Sequence, residues 1–195
     1  MLDVGTYTKD DLHGHPRNPG WLALCPGPGG VDLRPVTVEV VPFRSLLLED
    51  GPSDKSGREV KAGECPKAYA LLQSPGLKPG PVESAKRRGN ELVLGPNSYL
   101  ARTDGPPPGL EVCDGKPVKR YVLSQAQRRQ SLGEGDLCSV FTLRWAGDLD
   151  GDGRLDVLIE ESLDGGTIIL RLFLSRGATG SAMVREAAKS EHGGC

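Results

Sequence analysis

The most constraining part of this chain is its carboxyl-terminal third, where three apolar runs of strand length are separated by two short turns. The runs are CSVFTLRWAG (138–147), LDVLIEES (155–162) and TIILRLFLSR (167–176), and the linkers between them are rich in aspartate and glycine. β-Branched and aromatic residues recur in all three, and none is long enough for a well-nucleated helix. Strands joined by connections this short can only lie antiparallel to their neighbours, so the pattern predicts a three-strand meander.

Upstream the chain is dense in turn formers. Gly 27 and Pro 16 together exceed a fifth of the 195 residues, while aromatics make up 5%. That balance favours many short elements over long helices. WLALC (21–25) is a strand candidate, PGPGG (26–30) a turn, and VDLRPVTVEVVPF (31–43) alternates in period two, which together read as a hairpin. Residues 46–63 read as a long polar loop. Short strands are expected near 68–72, 91–94 and 99–102, and 119–125 pairs with 128–132 as a hairpin about Ala126. The tail SAMVREAAKSEH (181–192) has the composition of a short helix. The expected fold is mainly β: a turn-rich antiparallel sandwich or open barrel ending in the meander. We read one domain over 1–195, with an irregular lead-in over 1–20 and a candidate sub-boundary at 103–109, where GPPPG interrupts the pattern.

The first linker of the meander carries the chemistry. In DLDGDGRLD, Asp148, Asp150 and Asp152 occupy the first, third and fifth positions, Arg154 offers its backbone carbonyl at the seventh, and Asp156 closes at the ninth. Calcium takes about six to eight oxygens at about 2.3–2.6 Å, and a tight loop supplies them from alternate residues. Gly151 and Gly153 permit the sharp turn because glycine adopts positive φ without a Cβ penalty. Four carboxylates this close repel one another, and a divalent cation offsets that repulsion. An EF-hand is excluded: its twelfth position requires a bidentate glutamate where Ile159 stands, and its loop joins helices. Glu160 or Glu161 lies near enough to approach the ion, but an alternating strand aims at most one of them at it.

The segment from Trp145 to Glu160 resembles the calcium loops of FG-GAP and VCBS repeats, which occur in integrin-type propellers and in exported bacterial proteins. A single copy of the motif excludes a multi-bladed propeller. More broadly, the chain resembles a group of exported bacterial proteins with a turn-rich β amino-terminal part, one such loop near the carboxyl end and a terminal cysteine. That resemblance implies a secreted or periplasmic β protein and brings no activity with it.

Five cysteines, Cys25, Cys65, Cys113, Cys138 and Cys195, show no CxxC spacing, which argues against a zinc–sulfur site. In an oxidising compartment they allow two disulfides and one thiol. Cys113 with Cys138 is the candidate bridge, since the two flank the hairpin about Ala126, and buried free thiols are the alternative. No apolar run reaches the length of about 18 residues that a membrane helix requires. The start MLDVGTYTKDD is too polar for a signal peptide, which leaves a cytosolic protein or an exported one without its leader. The calcium loop favours export, periplasmic or extracellular, because weak calcium sites fill there.

Net charge of -2, from 24 basic and 26 acidic residues, provides no field for nucleic acid or anionic membrane. The basic runs at 86–88 and 119–129 read as solvated strand faces, and His13 with His15 as a surface loop. GPGG (27–30) and Gly115-Lys116 lack the spacing of phosphate-binding loops. The leading functional expectation is a non-catalytic exported module whose calcium is structural and whose loops meet a protein or carbohydrate partner. The alternatives are a polymer-acting hydrolase or lyase using carboxylates such as Glu91, Glu111, Glu160 or Glu161, and a periplasmic inhibitor or immunity-type protein.

Overall fold

The computed structural model describes residues 1–8, 12, 20–43, 57–105, 119–163 and 166–193, and every regular element among them is a β-strand. The sheets are antiparallel. A mainly β chain of sandwich or open-barrel type is what glycine, proline and short apolar runs dictate. Among the described residues no helix is long and apolar enough to cross a membrane. The chain divides into two compact units.

The first unit comprises Met1–Val82 with Gly165–Ile169 and Ser190–Cys195. Its strands are β1 (Gly5–Thr8), β2 (Trp21–Gly27), β3 (Gly30–Val36), β4 (Val38–Phe43), β5 (Gly57–Ala62), β6 (Leu71–Leu72) and the start of β7 (Gly80–Ser84). β2 and β3 form the expected hairpin, closing where Gly27 faces Gly30. The alternating run does not continue as one strand. It divides at Thr37, so that β3 pairs with β2 and β4 pairs with β5. Two expectations fail here. The lead-in contains β1, and the end of the stretch read as a polar loop is β5, whose Val60 and Ala62 point inward between the polar Glu59 and Lys61. A period-two signal of only two apolar residues is easily lost among charges. Tyr7, Trp21, Ala23, Val60 and Leu71 build the core, and the Cys25–Cys65 disulfide, with Cα atoms 6.0 Å apart, crosses it.

The second unit comprises Glu83–Asp164 and Leu170–Lys189. β8 (Lys86–Arg88), β9 (Glu91–Leu94), β10 (Asn97–Asp104), β11 (Lys119–Gln125) and β12 (Arg128–Gly135) follow one another in a meander. The β11–β12 turn forms at the predicted place, with Ala126 at φ 50°. β13 (Val140–Asp148), β14 (Asp156–Ser162), β15 (Thr167–Leu174) and β16 (Arg185–Gly193) are likewise neighbours in sequence order, with β15 up to Ile169 and β16 from Ser190 counted in the first unit. The three-strand meander is therefore present, with a fourth strand added. The tail expected to be helical is β16: Ser190 and His192 are buried while Glu191 is exposed, and that period-two burial overrides a helix-compatible composition. Alternate residues Leu92 and Leu94, Tyr99 and Ala101, and Tyr121 and Leu123 pack against Val157, Ile159 and Phe173, a sheet-on-sheet core. Each fully buried side chain such as Ile159 contributes roughly 1.5–3 kcal/mol. Cys138 is disulfide-bonded; its expected partner Cys113 lies outside the described residues.

Candidate metal centre

β13 ends at Asp148 and β14 begins at Asp156, so the aspartate loop is the turn of a hairpin in the second unit. Its root is tight. A Cβ on Gly147 would stand 2.1 Å from the backbone oxygen of Glu83 on β7, so only glycine admits this approach. Leu149 and Leu155, both buried, anchor the loop at its two ends. Gly151 and Gly153 both have φ of 76°, the left-handed turn their positions predict.

Backbone amides hold the carboxylates in place. Asp148 accepts from the N–H of Asp152 on Oδ1 at 2.9 Å and from Gly153 on Oδ2 at 2.8 Å. Asp156 is fully buried; its Oδ2 accepts from Leu149 N–H at 2.8 Å and its Oδ1 from Ser175 N–H at 2.7 Å. Burial pushes its carboxyl up to about 7, against the opposing pull of those two amides. The side chain of Asp150 is 3% exposed, and neither of its oxygens makes a well-aligned hydrogen bond; the Asp152 N–H, given to Asp148 Oδ1, is the one amide that also acts on it. Its nearest cation is Arg176, whose Nε lies 3.4 Å from Oδ2 on a side chain that is 58% exposed, so the attraction is screened. Burial, then the charge of Asp152, raises the Asp150 pKa and the charge of Asp148 adds to this, with Arg176 and the Asp152 amide opposing.

Asp148, Asp150 and Asp156 each offer one oxygen, and those oxygens all lie within 4.8 Å of one another. Oxygens bound to one calcium at about 2.3–2.6 Å are at most about 5 Å apart, so the cluster has the right spread. Its donors are all carboxylate oxygens, the set that suits a hard cation. Asp152 stands beside this cluster: the Ser175 hydroxyl donates to it, 3.0 and 2.9 Å from Oδ1 and Oδ2. Arg154 gives its N–H to Asp152 Oδ1 at 2.9 Å and holds its guanidinium 3.5 Å from Oδ2.

Ser175 is the residue sequence reasoning missed. It follows β15, 19 positions beyond Asp156, and is buried with both its N–H and its hydroxyl turned to the loop. No local spacing announces it; only a polar residue ending an apolar strand hints at a buried partner.

The other named carboxylates are engaged elsewhere. Glu160 meets Arg144 at 2.5 Å, and buried Glu161 meets Arg171 at 3.4 Å, so neither turns to the loop. Half-buried Glu91 accepts from the Ser98 hydroxyl at 2.6 Å, and Glu111 lies outside the described residues, as do His13 and His15. No family model matches the chain, and no curated protein or solved structure proves similar to it.

Proposed function

We propose that the loop 148–156 is a calcium site and that the ion is structural, fastening the β13–β14 turn to the end of β15 in an exported β module. One observation carries the reading: the Asp150 carboxylate is withdrawn from water without a well-aligned hydrogen bond and faces two further carboxylates. A buried charge among like charges, opposed only by a solvent-screened guanidinium, is a costly arrangement for a fold to hold, and a divalent cation at its centre relieves it. Nitrogen and sulfur donors are missing from the cluster, which favours calcium over zinc. A loop that turns at two glycines adapts to calcium's wide coordination more readily than to the strict octahedron of magnesium. Asp152 and the Arg154 carbonyl complete the coordination when Asp152 exchanges the Ser175 hydroxyl for the ion.

Export is supported by the Cys25–Cys65 disulfide and by the bonded Cys138, since such bridges persist in oxidising compartments. The role is one of presentation rather than catalysis: a calcium-stiffened hairpin that holds neighbouring loops for a protein or carbohydrate partner. Calorimetric titration of metal-stripped protein tests the site. Saturable calcium binding is expected, with magnesium much weaker. Absence of calcium heat up to several millimolar, where weak extracellular sites still fill, refutes it.

A further inference from the structure

A second feature of the same unit shares the Arg154 and Leu155 side chains with the aspartate loop but needs no metal ion. A pocket of about 160 Å³ is lined by Tyr99, Gln125, Arg128, Arg154, Leu155 and Met183, with small residues from 178 to 182 completing its wall. Two arginines, Arg128 and Arg154, line it beside Tyr99. Arg128 is set in orientation: its Nε and Nη2 donate to the Ser181 carbonyl at 3.3 and 3.1 Å, and Nη2 to the Ala182 carbonyl at 2.6 Å. Among the described residues no carboxylate pairs with it. The Arg154 guanidinium meets Asp152 only at 3.5 Å. The Tyr99 phenol, protonated at neutral pH as any tyrosine's is, lies beside the Leu155 backbone and the Gln125 side chain.

Two arginines, Arg128 presenting the Nη1 that its carbonyl contacts leave over, and two neutral polar groups, with Leu155 and Met183 beside them, describe an amphipathic anion site. The volume sets the size. A cavity of about 150 Å³ holds benzene, so this pocket accommodates about six heavy atoms, far fewer than a drug-sized ligand. We propose that it binds a carboxylate on a short apolar body, supplied either as a free short-chain acid or as the carboxyl terminus of a peptide ending in a small apolar residue. The carboxylate lies between Arg128 and Arg154, and the body against Leu155 and Met183.

The test is a chemical-shift titration of the full chain in calcium-containing buffer with sodium butyrate, 1-butanol, inorganic phosphate, and an acetylated alanine dipeptide as its free acid and its amide. Saturable shifts at Leu155, Met183 and the Gln125 side-chain amide are expected for butyrate or the dipeptide acid, with Kd on the order of a millimolar. The tighter of the two identifies the source. Butanol and the dipeptide amide should give none, and phosphate should bind more weakly. Arg128→Gln removes contacts to two carbonyls and is checked for an unchanged melting curve; Arg154→Gln, at an exposed side chain, is the second variant. Each should weaken binding at least fivefold. No saturable shift by about 50 mM, equal shifts from butanol or phosphate, or wild-type affinity in Arg154→Gln would overturn the proposal.

Discussion

Replacing Asp150 by asparagine should invert the stability order of variant and wild type between two buffers. Asparagine keeps the shape and removes the charge. In metal-free protein that charge sits within 4.8 Å of Asp148, a repulsion of about 3.5 kcal/mol at an effective dielectric constant of about 20. Asp156 adds little near neutrality because it holds its proton up to about 7. Against this, the exposed Arg176 at 3.4 Å returns about 1 kcal/mol of screened attraction. Asp152, whose charge also raises the Asp150 pKa, adds further repulsion, so the net gain on substitution is at least about 2 kcal/mol, or a rise in Tm of at least about 4–8 °C for a chain of this size. In calcium at about a hundred times Kd, wild type gains about 2.7 kcal/mol that the variant, short of a ligand, largely forgoes. Scanning calorimetry in chelator and in calcium reads both effects. Asp150→Asn melting below wild type by the same margin in both buffers would show that the carboxylate has a structural partner unrelated to metal.

The raised pKa of Asp156 makes the metal-free protein lose stability as pH climbs. Its folded carboxyl titrates near about 7 and the ordinary value is 3.8, so the contribution is complete below pH 3.8 and gone once pH passes about 7. Calcium affinity should run the opposite way, falling up to about tenfold per pH unit below 7 as the ion competes with that proton; titrations at pH 5, 6 and 7 check it. Replacing both Cys25 and Cys65 by serine opens a bridge that closes 40 positions of chain and should cost about 4 kcal/mol, read as a lower denaturant midpoint. Gly147→Ala forces a Cβ to within 2.1 Å of the Glu83 carbonyl, so a loss of about 2 kcal/mol or more in urea unfolding is expected.

The parts of the fold that were legible in the sequence are those whose information is local. The β2–β3 hairpin, the β11–β12 turn at Ala126 and the meander around the aspartate loop each combine a turn former with apolar residues at strand spacing. β5 and β16 were illegible for a shared reason: Val60 with Ala62, and Ser190 with His192, are two-residue inward faces that acquire meaning only from the strands they join. At the site, the aspartates and Gly151 and Gly153 are readable because the loop closes on itself. Ser175 and the depth of Asp150 are products of packing, and no spacing rule encodes them. The Cys25–Cys65 bridge belongs to the same class, because cysteine pairing follows from the sheet rather than from the intervening count.

Crystals of the protein grown with calcium, measured for anomalous scattering, test the central claim most directly. One anomalous peak is expected in the loop, with oxygens of Asp148, Asp150, Asp152 and Asp156 and the Arg154 carbonyl at about 2.3–2.6 Å and Asp152 released from the Ser175 hydroxyl. A well-ordered loop with no peak, with Asp150 still buried and without a well-aligned hydrogen bond, would contradict the account.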